Sequence, residues 1–197
     1  PVCSINFVPE VDSLSIDHTS AIRLVLDHLT ALGHRKIGYI GVTDPWYGQS
    51  DPRYLAFQQE MKQRNLALIP AWMPGGGDFL AADSGFLLAG RILQSGTLPS
   101  AVVCATDLFA IAALKAFRDA GLEVPGDISL TGFDNIALAE LIHPALTTIS
   151  IDQEEMGRAA VRLLLERIRR PDAATRTHCT YPELIIREST GPIKHQP

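Results

Sequence analysis

Apolar residues in this chain form short solid runs that alternate with sets spaced three and four positions apart. A short run bounded by turn residues predicts a strand, and the wider spacing predicts one face of a helix. Residues 2–7 and 14–16 are expected to be extended. From Thr19 or Ser20, a plausible N-cap, Ile22, Val25, Leu26, Leu29 and Leu32 predict a helix that Gly33 stops. Residues 37–41 then read as a strand and 42–52 as a polar loop. Tyr54, Phe57 and Met61 give the next helix its buried stripe. Residues 66–72 are expected to be extended and 74–78 to form a loop. Ala82, Phe86, Ala89 and Leu93 mark a third helix, ended by Gly96. The beat repeats with a strand at 101–105, a helix at 107–120 closed by Gly121, a strand at 128–132, a loop or short helix at 133–141, a strand at 147–151, and a helix at 153–170 ended before Pro171.

Strand, helix, strand at this spacing predicts a parallel sheet with helices on both faces. The run Ala101-Val102-Val103-Cys104-Ala105 is apolar throughout, as a strand covered on both sides should be. In such sheets ligands sit at the carboxyl ends of the strands, so the loops after Gly41, Ala105, Gly132 and Ile151 are the ones to examine. The helix at 107–120 is apolar around most of its girth from Leu108 to Leu114. Its second side needs cover, either deeper in the same chain or from a partner subunit.

At 197 residues and 46% apolar, the chain can bury a sizeable core. No apolar run approaches the ~18 residues a membrane helix needs. The start of the chain carries no basic, cleavable leader and reads as a strand. Cys3, Cys104 and Cys179 are far apart, without a CxxC or a His at metal spacing, so no metal site is expected and a reduced, cytoplasmic setting fits. A net charge of -5 argues against these residues gripping DNA. The basic cluster Arg167, Arg169 and Arg170 reads as a solvated helix end offsetting the macrodipole. There is no GxSxG, P-loop or GxGxxG, and Gly75–Gly77 lacks the strand-to-helix context of a phosphate loop. The six His form no catalytic motif. Binding without chemistry or cofactor is the expectation.

Four stretches carry a resemblance. They are Asp27-His28-Leu29-Thr30-Ala31-Leu32-Gly33-His34-Arg35-Lys36-Ile37, Ala105-Thr106-Asp107-Leu108-Phe109-Ala110, Val124-Pro125-Gly126-Asp127-Ile128-Ser129-Leu130-Thr131-Gly132-Phe133-Asp134-Asn135, and Pro144-Ala145-Leu146-Thr147-Thr148-Ile149. In this order the sequence resembles the effector-binding core of LacI/GalR-type transcription regulators up to Ser189. The resemblance implies an α/β, periplasmic-binding-protein-like fold with two subdomains joined by a three-strand hinge. Residues 1–33 and 152–176 would be the remnant of an incomplete amino-terminal subdomain. Residues 34–151 and 180–190 would form the carboxy-terminal effector-binding subdomain, with crossings near Gly33, Ile151 and Thr177. A helix-turn-helix headpiece and the first strands would lie outside this chain, and the tail from Gly191 is expected to fray.

The resemblance also implies a site. Arg53 aligns with the family's effector arginine, and a guanidinium fork can hold two adjacent hydroxyls or a carboxylate. Asp134, just past a strand end, can accept from two hydroxyls, or can make an Asx-turn. Phe79 matches a position for an aromatic against a sugar's apolar face. Thr106 stands where the family usually has Asn, which removes a two-pronged amide, and Asp107 beside it is expected to be the helix N-cap. Ser20 and Gln153 on one side of the cleft, with Tyr47 and Gln49 (and Trp46) in the first loop, complete the effector set. His34 and His143 read as structural. A homodimer is implied, with Ile111, Leu114 and Ile142 at its interface and operator DNA read only through the outlying headpiece. An exported sugar-binding protein of a transporter and a sugar-metabolising α/β enzyme are the alternatives.

Overall fold

The structure, a computed structural model, describes residues 3–5, 10–42, 51–76 and 83–193. Eight strands and six helices are present among them: β1 (Cys3–Ile5), β2 (Asp12–Ile16), α1 (His18–Ala31), β3 (Ile37–Ile40), α2 (Pro52–Gln63), α3 (Ser84–Gln94), β4 (Ala101–Cys104), α4 (Asp107–Asp119), β5 (Ser129–Phe133), α5 (Ala137–Leu141), β6 (Thr147–Ser150), α6 (Gln153–Arg169), β7 (Thr177–Thr180) and β8 (Glu183–Ile185). They form two sheets. One has the order β3-β4-β5-β6-β8, parallel except for the antiparallel edge strand β8, and the other is a parallel sheet in the order β1-β2-β7.

Every residue of β3, β4 and β5 is buried, so both faces of the larger sheet are covered. Side chains alternate across a strand. Tyr39 meets Tyr54 and Phe57 of α2, with ring centroids 5.3 and 5.1 Å away, while a Cβ at neighbouring Gly38 would come within 2.8 Å of the Trp72 carbonyl oxygen. Trp72 closes a single 3₁₀ turn, Pro70–Trp72, within a stretch expected to be extended. On α3 the buried face is Ser84, Gly85, Leu88, Ala89 and Ile92, one position round from the expected stripe, and Phe86 is exposed. Gly85 explains the rotation. A Cβ there would lie 2.4 Å from the Phe109 carbonyl oxygen, so α3 crosses α4 backbone to backbone at that glycine.

The N-cap of α1 is Asp17, whose carboxylate accepts from the Ser20 N–H at 2.9 Å and the Ser20 hydroxyl at 2.7 Å. Gly33 ends the helix at φ +95°, as expected. The boundary expected near Gly33 would place α1 with the smaller sheet. Its Ala21, Ile22, Val25, Leu26 and Leu29 lie instead in the core of the larger one, and α1 packs on α2. The chain therefore passes between the units at Asp17, at Ile151–Asp152 and after Thr180. The smaller sheet is covered by α6, with Leu14, Ala159 and Leu163 as its own small core.

Two further expectations change. Arg167 is not a solvated helix end: it donates from Nε and Nη2 to the buried Asp12 carboxylate, both at 3.0 Å, tying α6 to β2. The tail does not fray at Gly191. Gly191 accepts from or donates to His34 and Ser129, and the Ile193 N–H reaches the Leu32 carbonyl at 3.1 Å. His34 is buried and bonded at both ring nitrogens, as a structural histidine should be, whereas His143 is exposed beside Glu188. Cys104 is buried as a free thiol.

Candidate functional site

The carboxyl ends of β3, β4 and β5 bring together side chains from four segments. Asp51 caps α2, accepting from the Arg53 N–H at 2.8 Å, and Pro52 fits the first helical position because it has no N–H to lose. The same carboxylate then receives the Arg53 side chain, Nε at 3.0 Å and Nη2 at 2.8 Å, while Nη1 donates to the Ala105 carbonyl at 2.8 Å. Asp51 keeps 3% of its side-chain exposure and Arg53 17%. The guanidinium lies 5.5 Å from the centroid of Phe133, and the ring of His18 packs 5.9 Å from that centroid. Asp134 follows Phe133 and is held at φ +106°, a backbone region unfavourable for a residue with a Cβ. Its N–H is bonded to the Ile149 carbonyl at 2.9 Å.

Asp107 locks this loop from below. It is fully buried at the first position of α4, accepting from the Ile136 N–H at 2.8 Å, the Thr148 hydroxyl and the Phe133 N–H. One carboxylate thus ties β5, β6 and the turn into α5. Thr106, not Asp107, is the N-cap: its Oγ1 accepts from the Phe109 N–H at 3.2 Å. Asn135 is clamped between Ser150 and Arg187, the latter at 2.8 Å.

Residues 26–190 match the periplasmic binding protein-like domain family. The HTH-type transcriptional repressor MelR from Bacillus subtilis is 37% identical over 185 residues, covering 91% of this chain and 53% of that protein. The crystal structure of a LacI transcriptional regulator from a Rhodococcus species superposes with a TM-score of 0.83 at 32% identity, covering 95% of this chain and 68% of that one. The chain belongs to the LacI family. A LacI-family regulator from Enterococcus faecium, solved with bound ribose, matches with a TM-score of 0.80 at 25% identity over 96% of this chain and 69% of its own. The chain spans about half the length of the curated LacI-family relatives it matches.

Of the residues that the LacI-family resemblance singles out, Arg53, Thr106 and Asp134 stand at the same ends of adjacent strands. Tyr47, Gln49, Phe79 and Trp46 lie outside the described residues. Ser20 has its hydroxyl engaged in the cap of α1, and Gln153 is an exposed first residue of α6. Sequence reading missed His18, Asp51 and Phe133. A signal existed for two of them: Asp-Pro before a helix announces a cap, and a histidine at a helix start sits where a positive charge is disfavoured. Concave surface also occurs elsewhere, as in the cavity of about 510 Å³ beside His34 and the one of about 590 Å³ under the end of α6. Around the first, His34, Ser100 and Asp127 are already hydrogen-bonded, and the second is lined by exposed arginines at the far end of α6.

Burial dominates both titrations in the cluster. Desolvation lowers His18 to about 4, helped by the Arg53 charge, so the ring is neutral at pH 7, and its Nδ1 has no hydrogen-bond partner among the described residues. Desolvation raises Asp134 to about 6 against the pull of Arg53. The folded protein therefore gives up a proton at His18 between pH 6.5 and 4 relative to the unfolded chain, which makes stability fall on acidification. At Asp134 it retains a proton between pH 3.8 and 6, which makes stability fall as pH rises through that window. Each contributes at most about 3 kcal/mol, less in proportion to residual exposure. The two slopes oppose. Urea midpoints measured from pH 4 to 8 should show Asp134→Asn losing stability steeply on acidification, because it leaves the His18 slope unopposed. A variant profile parallel to wild type would remove these two groups as the titrating pair.

Proposed function

We propose that this chain is the effector-binding core of a cytoplasmic LacI-type repressor, taking a sugar or related small metabolite at the carboxyl ends of β3 to β5. The observation that carries the reading is the convergence of Arg53, Asp134 and His18 around Phe133 at one end of the larger sheet, two of them polar groups kept partly buried at a desolvation penalty. Strained and desolvated polar groups persist where a partner is to be met. Ligand bridging the two units would favour one hinge angle over another, by no more than its difference in affinity for the two. Operator DNA would be read by an element outside these residues, since a net charge of -5 disfavours phosphate binding by this chain. The relatives' identity as repressors supports binding without turnover and disfavours the transporter reading. No helix among the described residues is long and apolar enough to cross a membrane. A thermal-shift panel of mono- and disaccharides should give at least one hit that Asp134→Ala abolishes. A hit that survives the substitution would move the site elsewhere.

A homodimer belongs to the same proposal. Ile111, Leu114 and Ile142 line one surface depression of about 450 Å³, although Leu114 is only 5% exposed and serves mainly the chain's own core. Nearby Leu108 and Leu141 are 56% and 78% exposed, more apolar surface than one isolated side chain leaves. Sedimentation of Ile111→Asp should show weakened self-association. An unchanged association constant would take α4 out of the interface.

A further inference from the structure

The effector reading leaves the ligand's charge open, and the groups around Arg53 bear on it. Arg53 does not present a bare cation. Both oxygens of Asp51 are bonded to it, at 2.8 and 3.0 Å, in a pair that is almost wholly buried. Such a bidentate unit meets a ligand as a dipole with no net charge. Asp134 adds a carboxylate beside it and Asp107 another behind, and the charged groups that act on Asp134 are Arg53 and Asp107. His18 is held neutral and offers Nδ1 as a neutral hydrogen-bonding atom. Among the described residues, the carboxylates that act on Arg53 are Asp51 and Asp134.

From this juxtaposition we infer that the site takes an uncharged polyhydroxylated ligand and rejects sugar phosphates and sugar acids, with Asp51 as the residue that sets the discrimination. A sugar hydroxyl can donate to Asp134 and meet the Arg53–Asp51 dipole without displacing either partner. A phosphate would have to approach Asp134 and could gain the Arg53 charge only by breaking the Asp51 pair, since like charges brought together in a desolvated site repel strongly. The inference rests on the effector reading above but fails separately from it.

The test compares neutral sugars with their phosphate esters, on wild type and on Asp51→Asn, at constant ionic strength. Isothermal titration of wild type should give a neutral binder whose phosphate ester binds at least roughly tenfold more weakly. In Asp51→Asn the gap should shrink, and inorganic phosphate, inert towards wild type, should now raise the melting temperature. Should Asp51→Asn fail to fold, the wild-type pair alone decides. A phosphate ester that binds wild type as tightly as its parent sugar, and loses binding with Arg53→Ala, overturns the charge inference and leaves the effector reading standing. Absence of binding by every neutral and phosphorylated sugar in the panel overturns both.

Discussion

Replacing Gly132 by alanine is expected to lower the melting temperature by roughly 10 °C, a large loss for a single methyl group. The added Cβ would stand 2.1 Å from Asp107 Oδ1 and 2.8 Å from Leu146 Cδ2. Asp107 cannot retreat, because its oxygens already hold the Ile136 N–H, the Thr148 hydroxyl and the Phe133 N–H. Either β5 moves or the carboxylate gives up bonds it cannot replace while fully buried. Overpacking and a broken buried network together cost about 3–5 kcal/mol. Gly157→Ala is the control: it lies within α6, nothing stands within 4 Å of the new Cβ, and a slight gain is expected. A Gly132→Ala protein that melts within a few degrees of wild type would mean that Asp107 can shift without losing its buried bonds.

The second large effect belongs to the Arg53–Asp51 pair. Arg53→Ala leaves the Asp51 carboxylate buried without its cation, a change that costs about 3–5 kcal/mol in comparable pairs. Asp51→Asn keeps part of the cap on α2 and removes the uncompensated charge. The double variant Asp51→Asn/Arg53→Ala should therefore be more stable than Arg53→Ala alone, with a coupling of about 2 kcal/mol in urea unfolding. Additive losses would show that water already screens the pair. Both singles should also weaken effector binding, so stability and binding must be measured on the same preparations.

The larger sheet was legible because parallel strands covered on both faces leave solid apolar runs, as at Ile37–Ile40 and Ala101–Cys104. The smaller unit was harder to read. β7, Thr177–Thr180, has a mostly polar sequence that gains strand geometry only by pairing with β2, and β8 pairs antiparallel with β6 through three residues. Neither carries a periodicity of its own. The placing of α1 failed for a related reason: an amphipathic stripe says that a face is buried, not against which sheet. In the site, Arg53 and Asp134 were found through their position after strands. His18 was missed because its role comes from Phe133 and Arg53, distant in sequence, whereas Asp51, bonded to Arg53 two residues on, was readable as a cap and passed over. The exchange between Thr106 and Asp107 follows from burial: the residue that could reach three donors from beneath the loop became the tie, and its neighbour's hydroxyl was left to cap.

The three passages between the two units run side by side. The Asp17 N–H bonds to the Thr180 carbonyl at 3.2 Å, and Ser150, just before the Ile151–Asp152 passage, pairs with Glu183, just after Thr180. A body tethered by three neighbouring strips of backbone resists sliding and shear but yields to rotation about the line they share, like a door on three knuckles. Small adjustments near that line become large arcs at the far rim of the smaller sheet, which is where any attached element would feel them.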